Sequence, residues 1–225
     1  MTSAILLSMA SLPREAITLR INPPAGLVRR VRQETVLTLQ GVKFTYRSLV
    51  EEEHQGIDGG AFSAVFSLKE GTLISPGSRV SMTDQPRTLK VSSLGVPLRS
   101  EGESPSDLRL RRLTAIPLPQ AAVKVGDAWS VQMAQDGETV PELKSAVKLL
   151  ALELVMGISA AKVSVASQEA GIGGASASTT GWIDAATGLP IKLKTDLKKA
   201  PFAGGVSDGT WSMALQVPGL AKPLS

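Results

Sequence analysis

From Leu189 to Leu197 apolar residues recur at every second position. Leu189, Ile191, Leu193, Thr195 and Leu197 fall on one side of an extended chain, and Lys192, Lys194, Asp196 and Lys198 on the other. A period of two predicts a strand with one dry and one wetted face. Just upstream, Ser176–Ile183 is rich in β-branched and small residues and predicts the partner strand. The connection, Asp184-Ala185-Ala186-Thr187-Gly188, has the chemistry of a reversal. Asp184 accepts hydrogen bonds from N–H groups two or three residues on, and Gly188 takes the positive φ that returns the chain to the sheet. Pro190 has no N–H, so it belongs at a strand start or on an unpaired edge. Asp184 is therefore expected to be a turn residue, not a catalytic acid.

The alternation recurs along the chain. Ile17, Leu19 and Ile21 alternate with Thr18 and Arg20 before a break at Asn22-Pro23-Pro24-Ala25-Gly26. Phe62, Ala64, Phe66 and Leu68 share a face opposite Ser63, Ser67 and Lys69. Trp211, Met213, Leu215 and Val217 predict a last strand after a turn at Ser207-Asp208-Gly209. Leu108, Leu110 and Arg112 against Arg109, Arg111 and Leu113 give a weaker version of the pattern. Pro141–Gly157 fits two templates. Leu143, Val147, Leu150 and Leu154 form a helical stripe, but the extended Gly157–Gln168 that follows favours a long hairpin turning near Gly157. The stretches from Gly56 and from Gly157 share a Gly-Ile opening, an alternating strand and a closing Gly, which predicts one hairpin unit used twice in one sheet. Arg99–Asp107 is polar and turn-rich and reads as a surface loop. The expected fold is mainly β: a single curved antiparallel sheet or open half-barrel with few short helices.

Composition narrows the function. The 225 residues are 43% hydrophobic and 20% charged, a globular balance, with a net charge of +4. Aromatics are only 4%, so core and binding surfaces are expected to be aliphatic. The absence of cysteine removes disulfides, thiolate metal sites, thiol nucleophiles and a cysteine-linked lipid anchor. No apolar run is long enough for a membrane-spanning helix. Ala4–Met9 is apolar and Ser8-Met9-Ala10 resembles a small-x-small cleavage site, without a basic start. Residues 1–12 thus read as either the remnant of an export signal or a disordered terminus, and 13–225 as a single β-rich domain.

Tests for chemistry return little. His54, the only histidine, follows Glu51, Glu52 and Glu53 and is expected on a solvated strand end or turn. One histidine without cysteine does not make a standard zinc site, and consecutive glutamates on a strand face opposite ways. The pattern S-x-x-K occurs at Ser145–Lys148 and Ser159–Lys162. It serves acyl transfer only where a helix puts both residues on one side. Gly171–Gly181 lacks the Lys-Ser/Thr ending of a phosphate loop and reads as a flexible hairpin loop. The basic clusters Leu27–Gln33 and Leu108–Leu113 are expected to be solvated strand faces, without the aromatics that stacking on nucleic acid requires. Asp127, Asp184 and Asp208 are the carboxylates a hydrolase would use, yet each sits beside turn residues. No catalytic, metal-binding or cofactor-binding residue is assigned, and ligand-binding residues stay open.

Two pieces carry a resemblance. Pro117–Val131, with its Val-Gly-Asp turn and Trp-led strand, is similar to uncharacterised secreted bacterial domains. Gly181–Lys194 resembles the W-x-D-x-x-T-G-L-P hairpin of lipoprotein-carrier proteins of the LolA/LolB type, carried here by Trp182, Asp184, Thr187, Gly188, Leu189 and Pro190. That resemblance implies an open antiparallel half-barrel whose concave face shelters acyl chains under a small helical lid. It also implies a periplasmic or secreted location and a lipid or lipoprotein acyl chain as partner. The chain departs from the pattern in opening on a strand and in offering no identifiable lid helix. The expected role is a non-catalytic envelope or periplasmic domain sheltering a hydrophobic, acyl-chain ligand on a concave sheet; the alternative is a structural or protein-interaction module with a closed core and no ligand.

Overall fold

The computed structural model describes residues 15–216, apart from 59, 172–173 and 203–204. The readings placed on residues 1–12 and on Val217 lie outside the described residues. Twelve strands form one antiparallel sheet: β1 (Val28–Leu39), β2 (Val42–Asp58), β3 (Ala61–Ser75), β4 (Ser78–Ser81), β5 (Arg87–Ser92), β6 (Pro97–Leu98), β7 (Ala128–Met133), β8 (Leu143–Val155), β9 (Ile158–Glu169), β10 (Ser176–Asp184), β11 (Pro190–Phe202) and β12 (Gly205–Leu215). Among the described residues one helix, α1 (Pro105–Thr114), interrupts them. The strands run β6-β5-β3-β2-β1-β12-β11-β10-β9-β8-β7 across the sheet, with β4 beside β3. β6 and β7 are the two edges, so the sheet curves without closing. β12 pairs with β1, so the first and last of the described strands meet in mid-sheet.

The period-two segments make the ladder. In β11, Ile191, Leu193, Thr195 and Leu197 are buried and the alternate lysines exposed, as the pattern demands. Pro190 opens that strand. Its partner β10 arrives through the expected turn: Asp184 accepts from the Ala186 N–H at 2.9 Å and from the Thr187 hydroxyl at 2.7 Å. Gly188 has φ +71°, and a Cβ there would overlap the Arg20 carbonyl. Residues 143–155 are strand and reverse at Met156–Gly157, so the hairpin wins over the helix. Helical spacing lost because Leu143, Ser145, Val147 and Leu149 all face the core at period two, and a bulge after Leu149 then resets the phase. Both members of the internal echo are hairpins, β2–β3 and β8–β9.

Five expectations need correction. Leu108–Leu113 is helix, not strand: Ser104 caps it by accepting from the Asp107 N–H at 3.1 Å, and Pro105 occupies its first turn. Arg99–Asp107 is consequently not only a loop, since it carries that helix start. Ser207-Asp208-Gly209 lies within β12. There Asp208 accepts from the Lys199 N–H at 2.9 Å and so fills the bulge at which β11 slips its register. Ile17–Ile21 is extended but joins no ladder; Ile17 makes a single bridge to Val123. Gly171–Gly181 is mostly strand, β10 beginning at Ser176.

The core lies on the concave side. Val147, Leu149, Val163, Val165 and Ile183 meet Leu19, Ile21, Ile116 and Leu118 from two segments that cross the sheet. The lack of a side chain at Gly181 leaves room for Ile116 to lie against the strand. Leu113 of α1 packs with Met133, Leu143 and Leu197. Among the described residues no helix is long and apolar enough to cross a membrane.

Candidate functional site

The crossing segments fill only part of the concave face. Over its remainder lies a cavity of about 620 Å³, within the roughly 300–1,000 Å³ typical of small-molecule sites. One wall is sheet: Thr35 and Leu37 of β1, Phe62 and Phe66 of β3, Leu193 of β11 and Met213 of β12. The other is Leu110 and Thr114 of α1 with Ala115 and Ile116 after it. Among the described residues β7, β8 and β9 contribute nothing to this lining. Alternation explains the apolar wall: every strand that borders the space sends its inward set to the same side.

Helix α1 borders the cavity opposite the sheet, and the sequence pattern had not revealed it. Its arginines tie it down. Arg109 forms a two-pronged pair with Glu169 of β9, at 2.9 and 2.7 Å. Arg111 donates to Glu103 at 2.6 Å and to the Lys90 carbonyl at 2.7 Å. Arg112, largely buried, donates to the Ala134 carbonyl at 2.8 Å. The cluster expected on a solvated strand face is thus a set of internal tethers.

The sharpest departure concerns Arg29, Glu52 and His54. Arg29 and Glu52 sit directly opposite each other on β1 and β2. Both side chains face the cavity and keep only 10% and 7% of their exposure. Arg29 reaches one Glu52 oxygen with Nε at 2.7 Å and Nη2 at 2.6 Å, and donates Nη1 to the Pro190 carbonyl at 3.0 Å. His54 is buried, its Nε2 3.7 Å from the same Glu52 oxygen and without a hydrogen-bond partner among the described residues. Burial, the largest single influence, pushes the Glu52 carboxyl up, but His54 and Arg29 together outweigh it and hold the carboxyl below its usual range. The expectation that His54 lies on a solvated strand end is corrected. Glu52 and His54 are two residues apart and so share the inward face of β2, while Glu51 turns outward to Arg30 and Lys69. That spacing was the available signal.

The residues tested for chemistry are dispersed. Ser145 points inward and bonds the Ser167 hydroxyl at 2.9 Å, whereas Lys148 is on the outer face. Ser159 and Lys162 fall on opposite faces of β9. Asp127 accepts from the Lys124 N–H at 2.8 Å in a turn, Asp184 and Asp208 are engaged as described, and none of the three lines the cavity. Among the described residues no group of three or more histidines and carboxylates could hold a metal ion.

No protein-family model matches the chain, and no curated protein matches it in sequence. Solved structures do. A candidate exported protein with a YmcC-like fold from Bacteroides fragilis is 11% identical, with 89% of this chain and 100% of that one covered at a TM-score of 0.35. A DUF1329-family protein from Desulfovibrio piger is also 11% identical, covering 86% and 87% at 0.24. A candidate outer-membrane lipoprotein-sorting protein domain from Vibrio parahaemolyticus is 8% identical, covering 89% and 89% at 0.23. The last is of the class that the Gly181–Lys194 hairpin resembles. Likenesses this distant carry no functional argument, which rests instead on the cavity.

Proposed function

We propose that this protein is a non-catalytic domain of the bacterial envelope, periplasmic or secreted, that shelters a hydrophobic ligand such as an acyl chain in the cavity between the sheet and α1. The observation that carries this reading is the cavity itself, about 620 Å³ and walled by Leu37, Phe62, Phe66, Leu193, Trp211 and Met213. Apolar surface of that extent is stabilised by an apolar guest, because each buried CH₂ is worth about 0.8 kcal/mol. The alternative, a closed structural or interaction module, calls for an inner face packed shut, and the open volume favours the carrier reading over it. Delipidated protein titrated with a fluorescent fatty acid tests the proposal. Saturable one-to-one binding is expected, weakened at least tenfold when Ala64→Trp fills the space. Absence of probe binding, together with absence of copurifying lipid, would remove the reading.

A further inference from the structure

The β8–β9 hairpin ends in an apolar tip. Leu150, Leu152, Leu154 and Met156 are all exposed, Leu154 to 77%. Met156 and Gly157, with φ of 54° and 80°, reverse the chain in two residues and keep the tip narrow. The tip also stands clear of its neighbours. β7 pairs with β8 only as far as Lys148, and Leu149 closes against Gly126 and Asp127. Among the described strands none pairs with the outer edge of Leu150–Val155, roughly 20 Å of strand. On the other side, β10 stops at Asp184, opposite Ala160. Several large apolar side chains gathered on such a projection mark a surface that something covers.

The charge behind the tip says what. Lys162, Trp182 and Lys192 form one row across β9, β10 and β11 on the outer face. Both ammonium groups stand over the indole, 5.0 and 5.4 Å from its centre. Lys148 and Lys194 flank the next row. Of the acidic groups nearby, Glu153 shares this outer face and accepts from the Trp182 indole N–H, leaving the lysines in excess, and Asp184 is closed into its own turn. Leu154, opposite Ser159, lies three residues beyond the Lys162 row, or about 10 Å. An apolar end, then an aromatic with lysines about 10 Å behind it, matches the depth profile of a lipid interface, where apolar groups enter roughly 5–10 Å and Trp and Lys stay at the headgroups.

We infer that the β8–β9 hairpin docks this protein on an anionic bilayer surface, with Leu152, Leu154 and Met156 entering the interface and Lys148, Lys162 and Lys192 facing the headgroups. This stands independently of what fills the cavity. Because the chain contains no cysteine, Leu154→Cys gives a single site for an environment-sensitive fluorophore, with Val80→Cys on β4 as control. Vesicles of phosphatidylcholine with phosphatidylglycerol are expected to shift the emission to the blue at position 154 and not at 80. High salt and vesicles of phosphatidylcholine alone should both weaken the shift. Co-sedimentation of the unlabelled chain should fall about tenfold for each leucine replaced in L152S and L154S, and roughly fivefold for each of Lys148 and Lys162 changed to Gln. An unshifted label on anionic vesicles, or sedimentation indifferent to the leucines, would overturn the inference. So would light scattering that shows a dimer held by these leucines, since the occupant would then be a second copy.

Discussion

Replacing Glu52 with Gln isolates the buried pair at the cavity wall. The substitution keeps the size of the side chain and removes its charge. Arg29 then keeps only neutral acceptors, the amide oxygen of the new side chain and the Pro190 carbonyl at 3.0 Å, and has lost its anion in a position where its side chain keeps only 10% of its exposure. Breaking a buried ion pair on one side costs about 3–5 kcal/mol, because the surviving charge stays out of water. For a chain of this length that is a fall of about 6–20 °C in Tm. Replacing both partners by apolar groups, Arg29→Met with Glu52→Leu, should recover most of the loss, since a buried pair is commonly neutral or unfavourable against its hydrophobic isostere. The effect also has a pH signature. Glu52 has a carboxyl held below its usual range, so its contribution is complete above the unfolded-state value of about 4.3 and is lost as pH falls through the lower folded value. The gap between wild type and E52Q should therefore be constant near neutrality and narrow only below about pH 4.3. Urea unfolding followed by tryptophan fluorescence, across a pH series, measures all of this. A cost under about 1 kcal/mol at neutral pH, or a double variant no more stable than E52Q, would refute the reasoning.

Other expectations follow from single contacts. Arg109→Ala removes the cation from Glu169, whose side chain is 2% exposed, and leaves it the Ala175 N–H at 3.1 Å; a loss of about 3 kcal/mol is expected in denaturant unfolding, with faster amide exchange through Pro105–Thr114. Gly188→Ala demands a left-handed residue and a Cβ in the space of the Arg20 carbonyl, so about 2–5 kcal/mol should be lost. Ser104→Ala removes the cap of α1 and should cost about 1 kcal/mol; circular dichroism during thermal unfolding would register it as a lowered Tm.

Much of the sheet was legible because its strands bury one face and wet the other. β10 and β11 announce themselves through Leu193, Leu197 and the alternating lysines, and the Asp184–Gly188 reversal follows from two side-chain properties. Helix α1 was misread because Leu108, Leu110 and Leu113 satisfy neither period cleanly and its four turn-forming residues, Ser104 to Asp107, look like a loop until their order is weighed. Ser as cap, Pro in the first turn and Asp two residues later are a helix start. Arg29, Glu52 and His54 were assigned to solvent by residue type, although period two puts Glu52 with Val50, and Arg29 with Val31, on the inward side. The cavity itself left no local trace. Its volume depends on how far the sheet coils and where Leu19 and Ile116 cross it, and those are long-range properties of the packed chain.

Whether an apolar guest occupies the concave space can be read most directly by methyl NMR with a nitroxide-labelled fatty acid added to delipidated protein. Resonances of Leu37, Leu193 and Met213, all on the cavity wall, should broaden at one equivalent while Val80 stays sharp. Broadening confined to exposed methyls, or none at all, would contradict the account.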